Sequence, residues 1–480
     1  MTAMLQGAGM AIDVVFLAIL SRLLSPADFG IIAAAALFFA FCNLLREVGI
    51  GATIIQLPSL TDVEQRTALT LVLISSTILF LLAQASATPF SRFMNIPASE
   101  EVIRVMSFII ILQAFTSISE GLLLRRLEMR RIRISEILAK TLANGTAGIG
   151  LALAGFGYWA IAAAAICEAS LMSLALVYAA KPSLRPLFDS QSTRRLMGRA
   201  SGFTASRIFN FIALRGDVAI VGRSLDEASL GLYSRAYRLM SLPTDVYDRM
   251  ADRVVFPAMA KVQSDPERLK KAYLRGVSLT ALFGMPMSVV VYILAPEIVL
   301  ALLGRQWEKV IPVFSFLAIG IYFRLAARVS GSLLRATAAV RALILSQAVY
   351  ACLTVGGTLF AVEYGLSAVA IAVGIAIFPY FCLITAQACQ VARVSLMELI
   401  REHRYGLCVS AMVGIPCFVI AYVMRLEGVH AITVLFTEMV FLGLLSLCLA
   451  YWMPTNLIGK EGAEFSGHMR SAIRSILRSG

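Results

Sequence analysis

Residues 201–222 and 228–255 read as two membrane spans, the second the weakest in the chain by hydropathy, and they carry Arg207, Arg215, Asp217, Arg235, Arg238, Asp245, Asp248, Arg249, Asp252 and Arg253. One such charge costs about 2.5–3.5 kcal/mol at a lipid-facing helix centre. Several together must therefore line water, pair with one another or lie beyond the hydrocarbon. Arginine outnumbers lysine among them. A guanidinium presents a planar fork of donors that matches phosphate oxygens at two points, which an ammonium does not. The chemistry these residues suit is the non-covalent holding of an anionic, phosphorylated ligand in a wet, positively biased cavity. The competing reading is a structural network in which acids neutralise bases.

Depth sorts the candidates. A helix that enters near Ala228 and rises 1.5 Å per residue brings Arg235 and Arg238 about 10–15 Å into the membrane. They stand three apart and so share a face, and Asp245 and Arg249 share one at i, i+4. Pro243 between them predicts a kink or hinge. Arg207 can snorkel to the nearer surface, whereas Arg215 and Asp217 are too deep for that. Asp248 through Arg253 read as the solvated end of the helix. Arg215, Arg235, Arg238 and Arg207 are thus the candidate anion-binding residues. Asp13, Asp217 and Asp245 are candidates for ion coupling or for charge balance. Elsewhere, Glu136 and Lys140 form an expected i, i+4 pair, and Glu168 and Glu438 read as lone acids.

The elements that must position these groups follow from composition. Of 480 residues, 59% are hydrophobic and 15% charged, and the mean hydropathy is +0.82. A soluble chain has about 45–50% apolar and about 25% charged residues. The excess excludes a soluble enzyme, a disordered protein and a disulfide scaffold, and leaves an all-α polytopic membrane protein. The eight cysteines are scattered with no CxxC pair, and the three histidines stand apart, so they read as packing residues rather than metal ligands. No Gly-rich phosphate loop precedes a Lys-Ser or Lys-Thr pair. Neither cofactor nor metal is expected.

A spanning helix needs about 20 apolar residues. Fourteen intervals qualify: 4–24, 28–49, 67–89, 102–124, 134–155, 157–180, 201–222, 228–255, 276–298, 310–334, 340–361, 364–390, 405–424 and 430–453. The first lacks a basic leading segment and a small-x-small site, so it reads as a retained helix rather than a cleaved leader. One set of alternate connections collects twenty-seven Lys and Arg, the other seven, among them Arg22, Arg305 and Arg425. Arg324, Arg328, Arg335 and Arg341 count among the twenty-seven as one inner connection. Basic loops stay on the cytoplasmic side, which puts both termini there. The net charge of +13 therefore reports topology rather than nucleic-acid binding. In the tail, Arg470, Arg474 and Arg478 recur every four residues, a pattern suited to a short helix on an anionic leaflet.

An internal repeat organises the spans. Residues 21–32 align without a gap against 222–233, with Arg22/Arg223, Leu24/Leu225, Ala27/Ala228 and Gly30/Gly231 coincident. Both windows end the first span of a six-span block. The expected architecture is two six-helix bundles about a pseudo-twofold axis along the membrane normal, plus two C-terminal helices. The corresponding divisions are 1–190, 191–395, 396–455 and a basic cytoplasmic tail at 456–480.

Residues 18–30 (AILSRLLSPADFG), 231–239 (GLYSRAYRL), 256–258 (FPA), 295–296 (AP) and 304–307 (GRQW) together resemble polysaccharide-transporter proteins. These form the Wzx-type branch of the multidrug/oligosaccharidyl-lipid/polysaccharide exporter superfamily, and the resemblance is strongest to exopolysaccharide members of the succinoglycan and colanic acid type. It spans most of residues 10–390. It implies two lobes in a V and a flippase that moves a prenyl-pyrophosphate-linked oligosaccharide across the bacterial inner membrane by alternating access. It further implies that cavity arginines hold the pyrophosphate, and that the prenyl tail stays in lipid. Membrane lipids, a polysaccharide polymerase and a chain-length regulator are the implied partners. Two alternatives remain open at this point. One is a cation-coupled multidrug exporter on the same fold, which favours a cavity of acids and aromatics. The other is a membrane glycosyltransferase or polymerase, which usually needs a larger outer loop than the roughly twenty residues available here.

Overall fold

The computed structural model describes residues 2–46, 61–197, 204–250 and 255–452. Among them there is helix and turn but no strand. In chain order the helices are α1 (Thr2–Leu23), α2 (Pro26–Arg46), α3 (Asp62–Met94), α4 (Ser99–Met106), α5 (Phe108–Arg125), α6 (Met129–Ala143), α7 (Ile149–Leu153), α8 (Tyr158–Ala180) and α9 (Ser190–Met197). They continue as α10 (Thr204–Ser224), α11 (Glu227–Met250), α12 (Phe256–Lys261), α13 (Pro266–Ile293), α14 (Ala295–Leu302), α15 (Val310–Ala336), α16 (Val340–Ala361), α17 (Leu366–Ala392), α18 (Leu396–Leu426) and α19 (Ala431–Trp452). A backbone that meets lipid must satisfy its polar groups internally, which is why the described residues are mostly helical.

Helix fills most of the described residues of the expected intervals, with breaks at Ser107 inside 102–124, at 154–155 and a π-helical turn inside 134–155, and at Leu294 inside 276–298. Nine helical segments among the described residues are both long and apolar enough to cross a membrane: those starting at Pro26, Asp62, Ser99, Tyr158, Pro266, Val310, Val340, Leu366 and Leu396. α10 and α11 fall outside that group because they hold the charges discussed above.

Helix ends follow local chemistry. Thr61 caps α3 and Ser395 caps α18, each in a reciprocal box with a glutamate three residues on, Glu64 and Glu398. Asp265 caps α13, with Pro266 at the first helical position. Glu398 also meets Lys270 Nζ at 2.7 Å, tying α18 to α13. Ser395→Ala removes the cap that supports both, and should lower the stability of the detergent-solubilised protein by about 1 kcal/mol. A thermal melt equal to wild type would contradict that.

The described chain falls into two compact units: Met1–Phe211 with Val218–Ser234, and Ile212–Asp217 with Arg235–Gly480. In the first, Leu69 and Val72 of α3, Ile118 and Leu123 of α5, Ile132 of α6 and Leu176 of α8 make one buried cluster. In the second, Tyr273 and Val277 of α13 pack with Val329 and Leu333 of α15 and Ala388 of α17. Tyr273 and Ser330 share a hydrogen bond of 3.0 Å, and Ser330 meets Thr385 at 3.2 Å. Small residues bring the backbones together, as expected where lipid supplies no hydrophobic drive. A Cβ on Gly414 of α18 would come 2.7 Å from the Val289 side chain of α13.

Two expectations are corrected. Arg324, Arg328 and Arg335 do not lie in a connection: they are on α15, which runs unbroken to Ala336, and Arg341 is in the first turn of α16. The expected interval 310–334 already held Arg324 and Arg328, and long basic side chains are compatible with such a helix, so counting them as connection charges was the misassignment. Lys140 also does not pair with Glu136. Its ammonium meets Asp13 Oδ1 of α1 at 2.8 Å, while Glu136 is bridged to Arg133. The i, i+4 rule describes an isolated helix surface, and here a neighbouring helix offers a better-placed carboxylate.

Candidate functional site

The second unit gathers the sequence-derived candidates from two helices and adds a third. α10 contributes Arg215, which is exposed, and Asp217, which is 1% exposed. Ala213 on the same helix packs with Tyr350 and Ala351 of α16 and with Ala376 and Ile377 of α17. Gly216 permits this approach, because a Cβ there would stand 2.7 Å from the Val355 side chain of α16. α11 supplies Arg235, Tyr237, Arg238 and Asp245, all half-buried. Its apolar neighbours Ala236, Leu239 and Met240 are buried and hold the helix by its other face.

Arg238 Nη1 meets Asp245 Oδ2 at 3.0 Å and Ser241 Oγ at 3.5 Å. Seven residues span two helical turns, so the long arginine reaches down α11 to its carboxylate. Arg235 lies in the field of the Arg238 charge, and two guanidiniums on one face leave that face positive. Pro243 sits inside α11, which remains helical to Met250. The hinge assigned to it remains a proposal.

The third element is α15. The Arg324 guanidinium carbon stands 5.6 Å from the centre of the Tyr237 ring. Arg215 and Asp217 of α10 and Tyr350 of α16 also act electrostatically on the Tyr237 hydroxyl. Tyr350 in turn stacks on Tyr380 of α17 with ring centres 4.5 Å apart. Tyr237 of α11 is therefore the point that charges from both α10 and α15 reach. By rise along each helix, Arg215, Arg235, Arg238 and Arg324 are about 12–21 Å from the ends at Ser224, Glu227 and Val310. That depth is interior to a hydrocarbon layer about 30 Å thick.

Sequence reading missed Arg324 and Tyr237. Arg324 was overlooked because its charge was assigned to the connection after the interval 310–334 that contains it, and Tyr237 because tyrosine carries no formal charge. A signal was available: Arg324 lies fourteen residues into its helix, too deep for a connection.

Arg207 lies on α10, but its side chain is outside the described residues, as are those of Asp248 and Arg249; residues 251–254 and the tail from 453 lie outside them altogether. Asp13 is in the first unit, salt-bridged to Lys140. Near this pair a π-helical turn at Asn144–Gly148 interrupts the helix, and Asn144 Nδ2 donates to the Lys140 carbonyl at 3.0 Å. Glu168, expected to stand alone, lies in the field of Lys140, Asp13 and Glu136, and lines a cavity of about 260 Å³ with Glu120, Arg133 and Glu136. Glu438 is wholly buried near Cys417 and near a forked pair, Arg425 Nε and Nη2 to Glu297, each at 2.7 Å. The lone acids thus have charged neighbours on other helices, which spacing along one chain cannot reveal.

The helical order is that of known membrane transporters. The structure superposes on lipid II flippase MurJ in its inward closed conformation with a TM-score of 0.68 and 12% identity, over 92% of this chain and 99% of that one. An inward-facing multidrug resistance MATE family transporter of the MOP superfamily gives 0.66 at 14% identity, over 81% and 96%. At such identities the likeness concerns the fold, and with the apolar helices it defines a multi-pass membrane protein.

The sequence is more particular. Residues 19–312 match the polysaccharide biosynthesis protein family, and the chain belongs to it. It is 28% identical over 305 residues to the succinoglycan biosynthesis transport protein ExoT of Rhizobium meliloti, covering 63% of this chain and 61% of that one. It is 24% identical over 349 residues to the lipopolysaccharide biosynthesis protein WzxC of Escherichia coli, covering 71% and 68%. The match to ExoT spans about three fifths of that relative's length.

Proposed function

We propose that this chain is a flippase that translocates a prenyl-pyrophosphate-linked oligosaccharide across the bacterial inner membrane, with Arg215, Arg235, Arg238 and Arg324 holding the pyrophosphate. The observation that carries the reading is the approach of Arg324 of α15 and of the Arg215 charge of α10 to Tyr237 of α11, the helix that also bears Arg235 and Arg238, at membrane depth. Family membership and the names of ExoT and WzxC support a polysaccharide precursor as cargo. Both termini are cytoplasmic on the distribution of Lys and Arg. The six-plus-six arrangement with two further helices, the fourteen crossings, and partnership with a polymerase and a chain-length regulator belong to the same proposal. So does Arg207 as a further contact near the inner surface.

The physics is that of transport rather than covalent catalysis. A pyrophosphate carries its charge into a layer where water is scarce, and fixed guanidiniums replace the water it loses. Asp217 and Asp245 keep those cations from an uncompensated mutual repulsion while the site is empty. Charge-assisted contacts of this kind contribute about 1.5–3 kcal/mol each. Arg215→Ala, Arg235→Ala and Arg238→Ala should each cut the flipping of labelled lipid-linked oligosaccharide in proteoliposomes by about tenfold or more, at unchanged protein incorporation. Unimpaired flipping by all three would overturn the pyrophosphate assignment.

A second reading has its own support. The acidic cavity of the first unit, with Glu120, Glu136 and Glu168, suits a cation-coupled exporter. Flipping that responds to neither a proton nor a sodium gradient would remove it.

A further inference from the structure

The last helix, α19, is apolar along its whole length except at Glu438, its single Asp, Glu, Lys or Arg. Phe436, Met439 and Leu444 of this helix are exposed, whereas Glu438 is wholly buried on the face that packs against α14 and α18. Leu294, Cys417, Ala421 and Val434 make that packing apolar. Glu438 lies seven residues in from Ala431, about 10 Å along the helix. Neither of its carboxylate oxygens is in good hydrogen-bond geometry with any group. The Cys417 thiol and the Ala421 backbone act on it, but a thiol is a weak donor and a mid-helix amide is already committed to its own ladder.

One cation stands near. Arg425 of α18 spends Nε and Nη2 on Glu297 of α14, and Nη2 also reaches the Ile293 carbonyl at 2.6 Å. Nη1 takes part in none of these bonds. Glu297, Arg425 and Cys417 are the charged or titratable groups that act on Glu438 from the helices packed against it, while Glu427 and His430 lie exposed in the turn before α19. With both glutamates ionised the three charged groups sum to one uncompensated negative charge in apolar surroundings, which is costly. A metal ion does not fit, since a hard cation wants several oxygen ligands and Glu438 meets mainly hydrocarbon. Among the described residues, no group of three or more His, Cys, Asp or Glu is placed to hold one. A proton needs a single oxygen and cancels the excess charge.

We infer that Glu438 is a proton-binding site, neutral when loaded, and that Arg425 is the cation to which its carboxylate turns when the proton leaves. Glu297 and Glu438 then compete for one guanidinium. The Arg425 side chain is 36% exposed and Glu297 only 5%, so Arg425 is where the cluster meets water and where the proton exchanges. Loading breaks an ion pair between α18 and α19, and unloading makes one. The orientation given above puts this exchange on the outer side, but the site itself does not depend on the flippase reading.

The test is infrared titration of the purified full chain in liposomes, following the carbonyl stretch of a protonated carboxyl, which a carboxylate lacks. At neutral pH the wild-type protein should show this band, and Glu438→Gln should lose it. Glu297→Gln frees Arg425 for Glu438, so the band should vanish about one pH unit or more lower than in wild type. Arg425→Gln removes the cation and should hold the band to higher pH by a similar amount. Those opposite shifts decide the matter if Glu438→Gln fails to accumulate. Thermal melts give a second readout. A proton held by the folded chain and released by the unfolded one makes stability fall as pH rises above about 4.3, where an unfolded glutamate ionises. Glu438→Gln should flatten that fall. An unchanged band with parallel melting curves in Glu438→Gln, or shifts of the same sign in the other two variants, would overturn the site. So would loss of the band on adding sodium at constant pH, which would make the ligand a metal cation.

Discussion

Arg324→Ala should reduce polymer export about tenfold to a hundredfold while the protein still reaches the membrane. The guanidinium faces Tyr237 across α11 and α15, and Arg215 and Asp217 act on the same ring from α10. Removing it takes away one forked phosphate donor, a loss of about 1.5–3 kcal/mol, and each 1.4 kcal/mol is a factor of ten. Arg324→Lys keeps the charge but loses the fork, so it should restore only part of the export. Tyr237→Phe keeps the ring beneath the guanidinium and should stay close to wild type. A merely structural role would give another pattern: Arg324→Lys, which can still lie over the ring, would export fully. Secreted polysaccharide measured against immunoblotted membrane protein separates the two.

The next largest effect is expected at the Asp13–Lys140 pair. Its partners come from α1 and α6, their side chains are about three-quarters covered, and they meet at 2.8 Å. Breaking a buried pair from one side leaves the other charge stranded, at about 3–5 kcal/mol for full burial. Partial exposure and the nearby Glu168 bring the expected cost of Asp13→Ala to about 3 kcal/mol, at the low end of that range. Lys140→Ala should cost a similar amount, and Asp13→Ala with Lys140→Ala should regain most of it, since neither charge then lacks a partner. Thermal melts of the four proteins give the coupling directly. Export distinguishes the two roles assigned to Asp13: charge balance predicts that the double variant exports normally, and ion coupling predicts a stable but inactive one.

How much of this was legible beforehand differs by element. The nine most apolar helical segments could be read from hydropathy, because a twenty-residue apolar run in lipid has no alternative but helix. Arg215, Arg235 and Arg238 could be singled out because a charge inside such a run is costly wherever it lies. Arg324 lay inside the interval 310–334 and was legible in the same way, but its charge was assigned to the connection that follows, whereas α15 continues to Ala336. The Glu136–Lys140 pairing was misjudged for a related reason. Helical spacing measures neighbours on one helix, and Asp13 lies 127 residues away in sequence.

The sequence by itself therefore determined that the chain is a membrane-embedded helical protein with arginines at depth, and that residues 21–32 repeat at 222–233. These are properties of composition, of one helix at a time and of one string against another. Only the tertiary structure decided which groups meet: Arg238 with Asp245, Asp13 with Lys140, Arg324 with the Tyr237 ring. The reason is physical. Burial cost is set by the solvent a segment occupies and can be read locally, whereas Coulomb and contact energies fall with distance in space, which packing alone assigns.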